Sequence, residues 1–90
     1  MTYAIEILRS AQKQLAKLDR KVQPRIIETI RQLAEEPRPQ GCKKLSGRSA
    51  WRIRTGSYRI IYEIHDKKLL VLVVSIGDRK DVYPHIATHS

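Results

Sequence analysis

Cysteine occurs once, at Cys42, so no internal disulfide can form, and a reducing cytoplasm is the compartment that fits. Phenylalanine is absent, and one Trp and four Tyr are too few to cover an exposed sheet with the stacking platforms of a plain RNA-binding module. Glycine and proline number four each, and no linker, low-complexity tract or internal repeat divides the chain. The longest unbroken apolar run, Leu69 to Val74, is six residues, against ~20 for a membrane-spanning helix. The opening Met-Thr-Tyr-Ala-Ile-Glu lacks the basic segment and apolar stretch of a secretory signal, so no membrane association is expected. Acidic residues are scarce: nine Asp and Glu against eighteen Lys and Arg leave a net charge of +9.

What remains is an ordinary globular composition, 41% apolar and 30% charged, sized for one domain spanning residues 1–90. So cationic a chain calls for a polyanionic partner: nucleic acid, an anionic membrane surface or an acidic protein. Histidines at 85 and 89 are four apart, but two without a third ligand make a poor metal site. No metal or cofactor is expected. Cys42 has no visible Cys/His/Asn arrangement around it.

The hydrophobic period changes midway. Tyr3 to Leu8 alternates like a strand, with Tyr3, Ile5 and Ile7 on one side. Ser10 has the chemistry of an N-cap, although Lys13 three residues on rules out a capping box. Ala11, Leu15 and Leu18 then follow at helical spacing. A second helix starts near Val22 or Gln23, because Pro24 is tolerated only in a first turn. Val22, Ile26, Ile30 and Leu33 form its stripe, Ile27 and Ala34 widen it, and Glu36-Pro37 stops it. Beyond lie strands at Trp51–Thr55 and Tyr58–His65 about a Gly56-Ser57 turn, with Trp51 packing at the core or an edge. His65–Lys68 turns into Leu69–Ile76, apolar enough to be buried on both faces. Gly77-Asp78 breaks it, and Asp81–Tyr83 is a last short strand. The expected class is α+β, a βααβββ(β) chain with an antiparallel helix hairpin on one face of a mostly antiparallel sheet. Glu6 and Glu63 read as solvent-facing.

Charge concentrates in one stretch. From Pro37 to Tyr62, 26 positions hold seven basic residues and no acidic one: Arg38, Lys43, Lys44, Arg48, Arg52, Arg54 and Arg59. Arg52 and Arg54, two apart, share one face of a strand whose other face is apolar, and a paired hairpin brings Arg59 beside them. Guanidinium groups so crowded repel one another until an anion arrives. A phosphate site follows.

At these residues the sequence resembles the RelE toxins of the RelE/ParE superfamily. The resemblance lies in Arg52-Ile-Arg54, in Gly56-Ser-Tyr58-Arg59-Ile-Ile-Tyr62 and in Val74-Ser-Ile-Gly77-Asp-Arg79-Lys-Asp-Val-Tyr83, with Lys44-Leu45-Ser46-Gly47 upstream. It spans essentially the whole chain. It implies the toxin of a type II toxin–antitoxin pair, a ribosome-dependent endoribonuclease that cuts mRNA in the A site, docked on 16S ribosomal RNA. It also implies an acidic, RelB-like antitoxin as partner.

Such cleavage sends a 2′-hydroxyl onto the adjacent phosphorus, which needs a base, cations for the phosphorane and an acid for the leaving oxygen. By match to the family motif, Arg59 and Arg79 stabilise the transition state, Arg52 and Arg54 stand where relatives often carry lysine, and Tyr83 orients a base. Lys43, Lys44, Arg48 and His85 add RNA contacts. Arginine cannot give up its proton, so arginine at both 52 and 54 leaves the general base open among Lys44, Tyr83 and His85. Truncating Arg59 or Arg79 is expected to cost rate and to leave folding little changed, as for exposed cations. The competing reading is a ParE-like gyrase poison without ribonuclease activity, which would not require the arginine and tyrosine constellation.

Overall fold

Alternating Tyr3, Ile5 and Ile7 turn one side of β1 (Ala4–Ile7) toward the core, in a computed structural model that describes residues 2–47 and 49–78. The chain enters α1 (Arg9–Ala16) directly from the strand. Ser10 therefore lies inside the helix and does not cap it; Leu8 holds the cap position without a side-chain cap bond. The reason is tertiary: the Leu8 N–H is already donated to the Val73 carbonyl at 3.0 Å, which fixes where the strand ends. The Gln12 side-chain amide closes the junction by donating to the Ile7 carbonyl at 2.8 Å.

The second helix, α2 (Gln23–Glu35), starts where Pro24 requires and buries Ile26, Ile30 and Leu33. Ile27 does not widen that stripe. It stands about 100° around the helix from Ile26 and is 43% exposed. Four strands follow: β2 (Lys43–Lys44), β3 (Ala50–Thr55), β4 (Tyr58–His65) and β5 (Leu70–Asp78). The sheet order is β1-β5-β4-β3-β2, with β1 parallel to β5 and every other pair antiparallel. The α+β architecture expected from the sequence holds, with β2 as an addition. Two lysines carry no strand signal of their own; pairing with Trp51 and Arg52 makes them a strand.

The last described strand departs most from expectation. Leu69 sits in the turn before it, left-handed at φ 49°, after a single 3-10 turn at Asp66–Lys68. Gly77 and Asp78 do not break β5 but pair with Arg59 and Tyr58. Nor are both its faces buried: Val71, Val73 and Ile76 are, while Leu70, Leu72 and Val74 are half-buried, because the helices cover only one side. A bulge reconciles the odd numbers with the even one. Ile61 pairs with Ser75 and Tyr62 with Val73, so Val74 is the extra residue that returns Ile76 to the helix side. The segment 81–83, expected as a strand, lies outside the described residues.

One cluster of Ala11, Ile26, Ile30, Leu33, Ile60, Tyr62, Val71, Val73 and Ile76 joins both helices to the sheet. Each large member contributes about 1.5–3 kcal/mol by leaving water. Past Ile7, where β1 no longer pairs with β5, α1 takes over its edge: Gln14 Oε1 accepts from the Ile76 N–H at 2.8 Å. No helix among the described residues is long and apolar enough to cross a membrane.

Candidate phosphate-binding face

Strand alternation decides which side chains meet on the face that the helices leave open. In β3, Trp51 and Ile53 pack toward the core, which turns Arg52 and Arg54 the other way. The hairpin register sets Arg54 opposite Arg59, Ile53 opposite Ile60 and Arg52 opposite Ile61. On the far side of β3, Lys43 pairs with Arg52. Lys43, Arg52, Arg54 and Arg59 therefore share one face, with two like-charged pairs directly across from each other. Such pairs are destabilising in a sheet that serves stability alone.

The cations are not equally accessible. Lys43 and Arg54 are exposed and Arg52 is half-buried, whereas Arg59 is only 6% exposed. Arg59 is thus not the exposed cation expected from the sequence, and its truncation removes packing as well as charge. Gly56 and Ser57 close the hairpin in two residues, with Gly56 at φ 62° in the first position as a type II′ turn prefers. Below the turn a cleft of about 320 Å³ is lined by Arg54, Gly56, Ser57, Tyr58 and Arg59. A planar guanidinium binds phosphate through two parallel N–H donors and keeps its charge, so this cleft suits a phosphodiester.

Other members of the acid-free stretch go elsewhere. Lys44 pairs with Trp51 and so falls on the opposite face from Lys43. Arg38 is committed to Asp66, with Nη2 donating to Oδ2 at 2.8 Å and Nη1 to Oδ1 at 3.3 Å, and its guanidinium lies 5.3 Å from the centre of the Trp51 ring. The Tyr3 hydroxyl donates to Asp66 Oδ1 at 2.6 Å. Hydrogen bonds from Arg38 and then Tyr3 hold the Asp66 carboxyl below its ordinary range, and the bond to Asp66 raises the Tyr3 phenol. Tyr62, buried beneath, donates to the Pro37 carbonyl at 2.7 Å, and burial pushes its phenol far up. Together these contacts anchor the loop after α2 against β4 and its turn.

Arg48, Arg79, Tyr83 and His85, also candidates from the sequence, lie outside the described residues. Sequence reading passed over His65 and gave Glu63 to solvent, yet Glu63 is half-buried with His65 Nε2 3.0 Å from its Oε1. That pair shares the open face but stands four and six residues along β4 from Arg59, about 13 and 20 Å at strand rise, too far to serve the same phosphate. Nothing local in the sequence tells that α2 delivers Arg25 to Gly56. No group of three or more His, Cys, Asp or Glu gathers among the described residues as metal ligands would.

The described residues thus form a two-helix α+β domain with an arginine-lined open face. The family model described as the ParE toxin of type II toxin–antitoxin systems matches residues 5–83, and the chain belongs to this family, within the RelE/ParE superfamily. The mRNA interferase toxin RelE of Escherichia coli is 29% identical over 87 residues, 92% of each chain. Among solved structures, the archaeal RelE–RelB complex from Pyrococcus horikoshii matches with a TM-score of 0.78 at 29% identity, over 88% of this chain and 97% of that one. The intact Escherichia coli RelBE toxin–antitoxin complex matches at 0.74 and 29%, over 84% and 95%.

Proposed function

We propose that this toxin is a RelE-type endoribonuclease that cuts mRNA in the ribosomal A site and is silenced in the cytoplasm by an acidic, RelB-like antitoxin. The observation that carries this reading is the register that opposes Arg54 to Arg59 with Arg52 and Lys43 on the same face. Like charges set directly opposite each other cost a sheet stability, whereas together they suit the grip of an anion. The relatives named as mRNA interferases support it.

In the reaction the 2′-oxygen attacks the neighbouring phosphorus as its proton passes to a base. The phosphorus–O5′ bond then breaks, leaving a 2′,3′-cyclic phosphate and a protonated 5′-hydroxyl. Arg59 and Arg54 neutralise the equatorial oxygens of the phosphorane, Arg52 and Lys43 hold the strand beside it, and Arg79 and Tyr83 take the roles that the family motif implies. The described arginines cannot serve as the base. Alignment on the ribosome supplies the remaining advantage, which for well-oriented reactants reaches about 7–11 kcal/mol. The antitoxin, drawn by the +9 charge, packs on the helix hairpin and blocks the arginine face or displaces the C-terminal tail.

Inducing the toxin in cells and mapping mRNA ends by primer extension tests the proposal. Codon-phased cuts are expected. Intact mRNA with cleaved chromosomal DNA would replace this reading with gyrase poisoning.

A further inference from the structure

Arg25, in the first turn of α2, places Nη1 3.4 Å from where a Cβ on Gly56 would stand, so an α2 guanidinium lies against the bare backbone of the β3–β4 turn. The placement is not a default surface pairing. Glu28 stands one helical turn away, within reach at i+3, yet its carboxylate faces Arg31 at 3.9 Å. The ion pairs among the described residues are Arg31–Glu28, Arg38–Asp66 and His65–Glu63, and they include neither Arg25 nor Arg54. Both are exposed and both reach the turn, Arg25 beside Gly56 and Arg54 lining the cleft that Gly56 and Ser57 floor, residues which offer backbone and a hydroxyl but no bulk.

We infer that Arg25 and Arg54 flank a second phosphate subsite at the β3–β4 turn, which holds the phosphodiester next along the RNA strand from the one gripped at Arg54 and Arg59. The inference deepens the proposed function and rests on it. A strand that crosses the arginine face leaves the sheet at this turn, since β3 and β4 end there. A cation from the helix layer then meets the backbone as it leaves. Gly56 keeps the approach open: a side chain would stand between the turn and the guanidinium, besides being strained at φ 62°. Two exposed forked donors at one turn match a phosphodiester better than a single carboxylate.

The test is equilibrium binding of a single-stranded, 2′-O-methylated RNA of about eight nucleotides, which cannot be cut, across a range of salt concentrations. Arg25→Ala is expected to weaken binding about three- to tenfold at low salt and to reduce the slope of log K against log salt by about 0.7, the loss of one phosphate contact on a single strand. Arg25→Lys should retain the slope, and Arg31→Ala, farther along the same helix, should match the parent protein. Wild-type affinity and slope in Arg25→Ala would overturn the inference, as would failure of the parent protein to bind the RNA. So would an effect confined to an RNA hairpin, meaning duplex docking, or to a poly-glutamate peptide, meaning antitoxin contact. The two readings fail separately: a parent protein that binds the RNA through Arg25 but leaves ribosomal mRNA intact loses the proposed activity and keeps the subsite.

Discussion

Arg54 and Arg59 stand directly opposite each other on neighbouring antiparallel strands, joined by only Gly56 and Ser57. Relieving that opposition should stabilise the fold. Arg54→Thr, a good strand former, is expected to raise the stability by about 0.2–1 kcal/mol while lowering cleavage in programmed ribosomes. Urea unfolding at two salt concentrations checks it, and the gain should shrink at high salt as the repulsion is screened. Lower stability in the variant would refute the strain.

Arg59→Ala should behave differently, because Arg59 is 6% exposed. Cleavage should fall ~10²–10³-fold, as when one donor to a developing oxyanion is lost. The protein should also lose stability, since a large buried side chain leaves a gap. Single-turnover rates at full folding, paired with unfolding midpoints, separate the two effects. Wild-type rates in the folded variant would remove Arg59 from the site.

The Tyr62 hydroxyl anchors the Pro37 carbonyl from inside the core at 2.7 Å. Tyr62→Phe should cost about 1–3 kcal/mol, the penalty for an abandoned buried carbonyl. Its phenol is raised, chiefly by burial. The stability it contributes is therefore complete below the ordinary tyrosine pKa of ~10 and is lost as pH rises past it. Alkaline unfolding monitored by tyrosine absorbance should show Tyr62 ionising with the transition. In Tyr62→Phe the alkaline limb should flatten.

Acid should loosen the opposite contact. The Asp66 carboxyl is held low by Arg38 and Tyr3, so its contribution is present above the ordinary carboxylate range of ~4 and disappears as pH falls through its lowered value. Asp66→Asn should unfold with a shallower dependence on pH below ~5. Because the pair is exposed, the effect should be modest and reduced by salt. An unchanged acid limb would show that the ion pair contributes nothing.

Leu69 adopts φ 49° without being glycine. A bulky side chain in left-handed backbone is strained by roughly 1–2 kcal/mol, while Leu69 itself is 37% exposed and has limited packing to lose. Leu69→Gly should raise the urea midpoint, and a lower one would mean that packing outweighs strain.

Much of this protein is written locally. The 3.6-residue stripe of Ile26, Ile30 and Leu33, the Pro24 start, the Gly56-Ser57 turn and the alternation that separates Arg52 and Arg54 from Trp51 and Ile53 all depend on neighbours a few residues apart. Those elements, and the meeting of Arg54 with Arg59 across a two-residue turn, are therefore legible in the sequence itself. What only the tertiary structure decided depends on groups distant in the chain. Val73 takes the Leu8 amide and so removes Ser10 from the cap. Asp66 claims Arg38 from the basic stretch across 28 residues. The Val74 bulge re-phases β5, pairing turns Lys43 and Lys44 to opposite faces, and the packing of α2 brings Arg25 to Gly56. Local periodicity reports which way a side chain points from its own backbone. Which partner it finds there is settled by how the layers stack, and no short window of sequence contains both halves of such a contact.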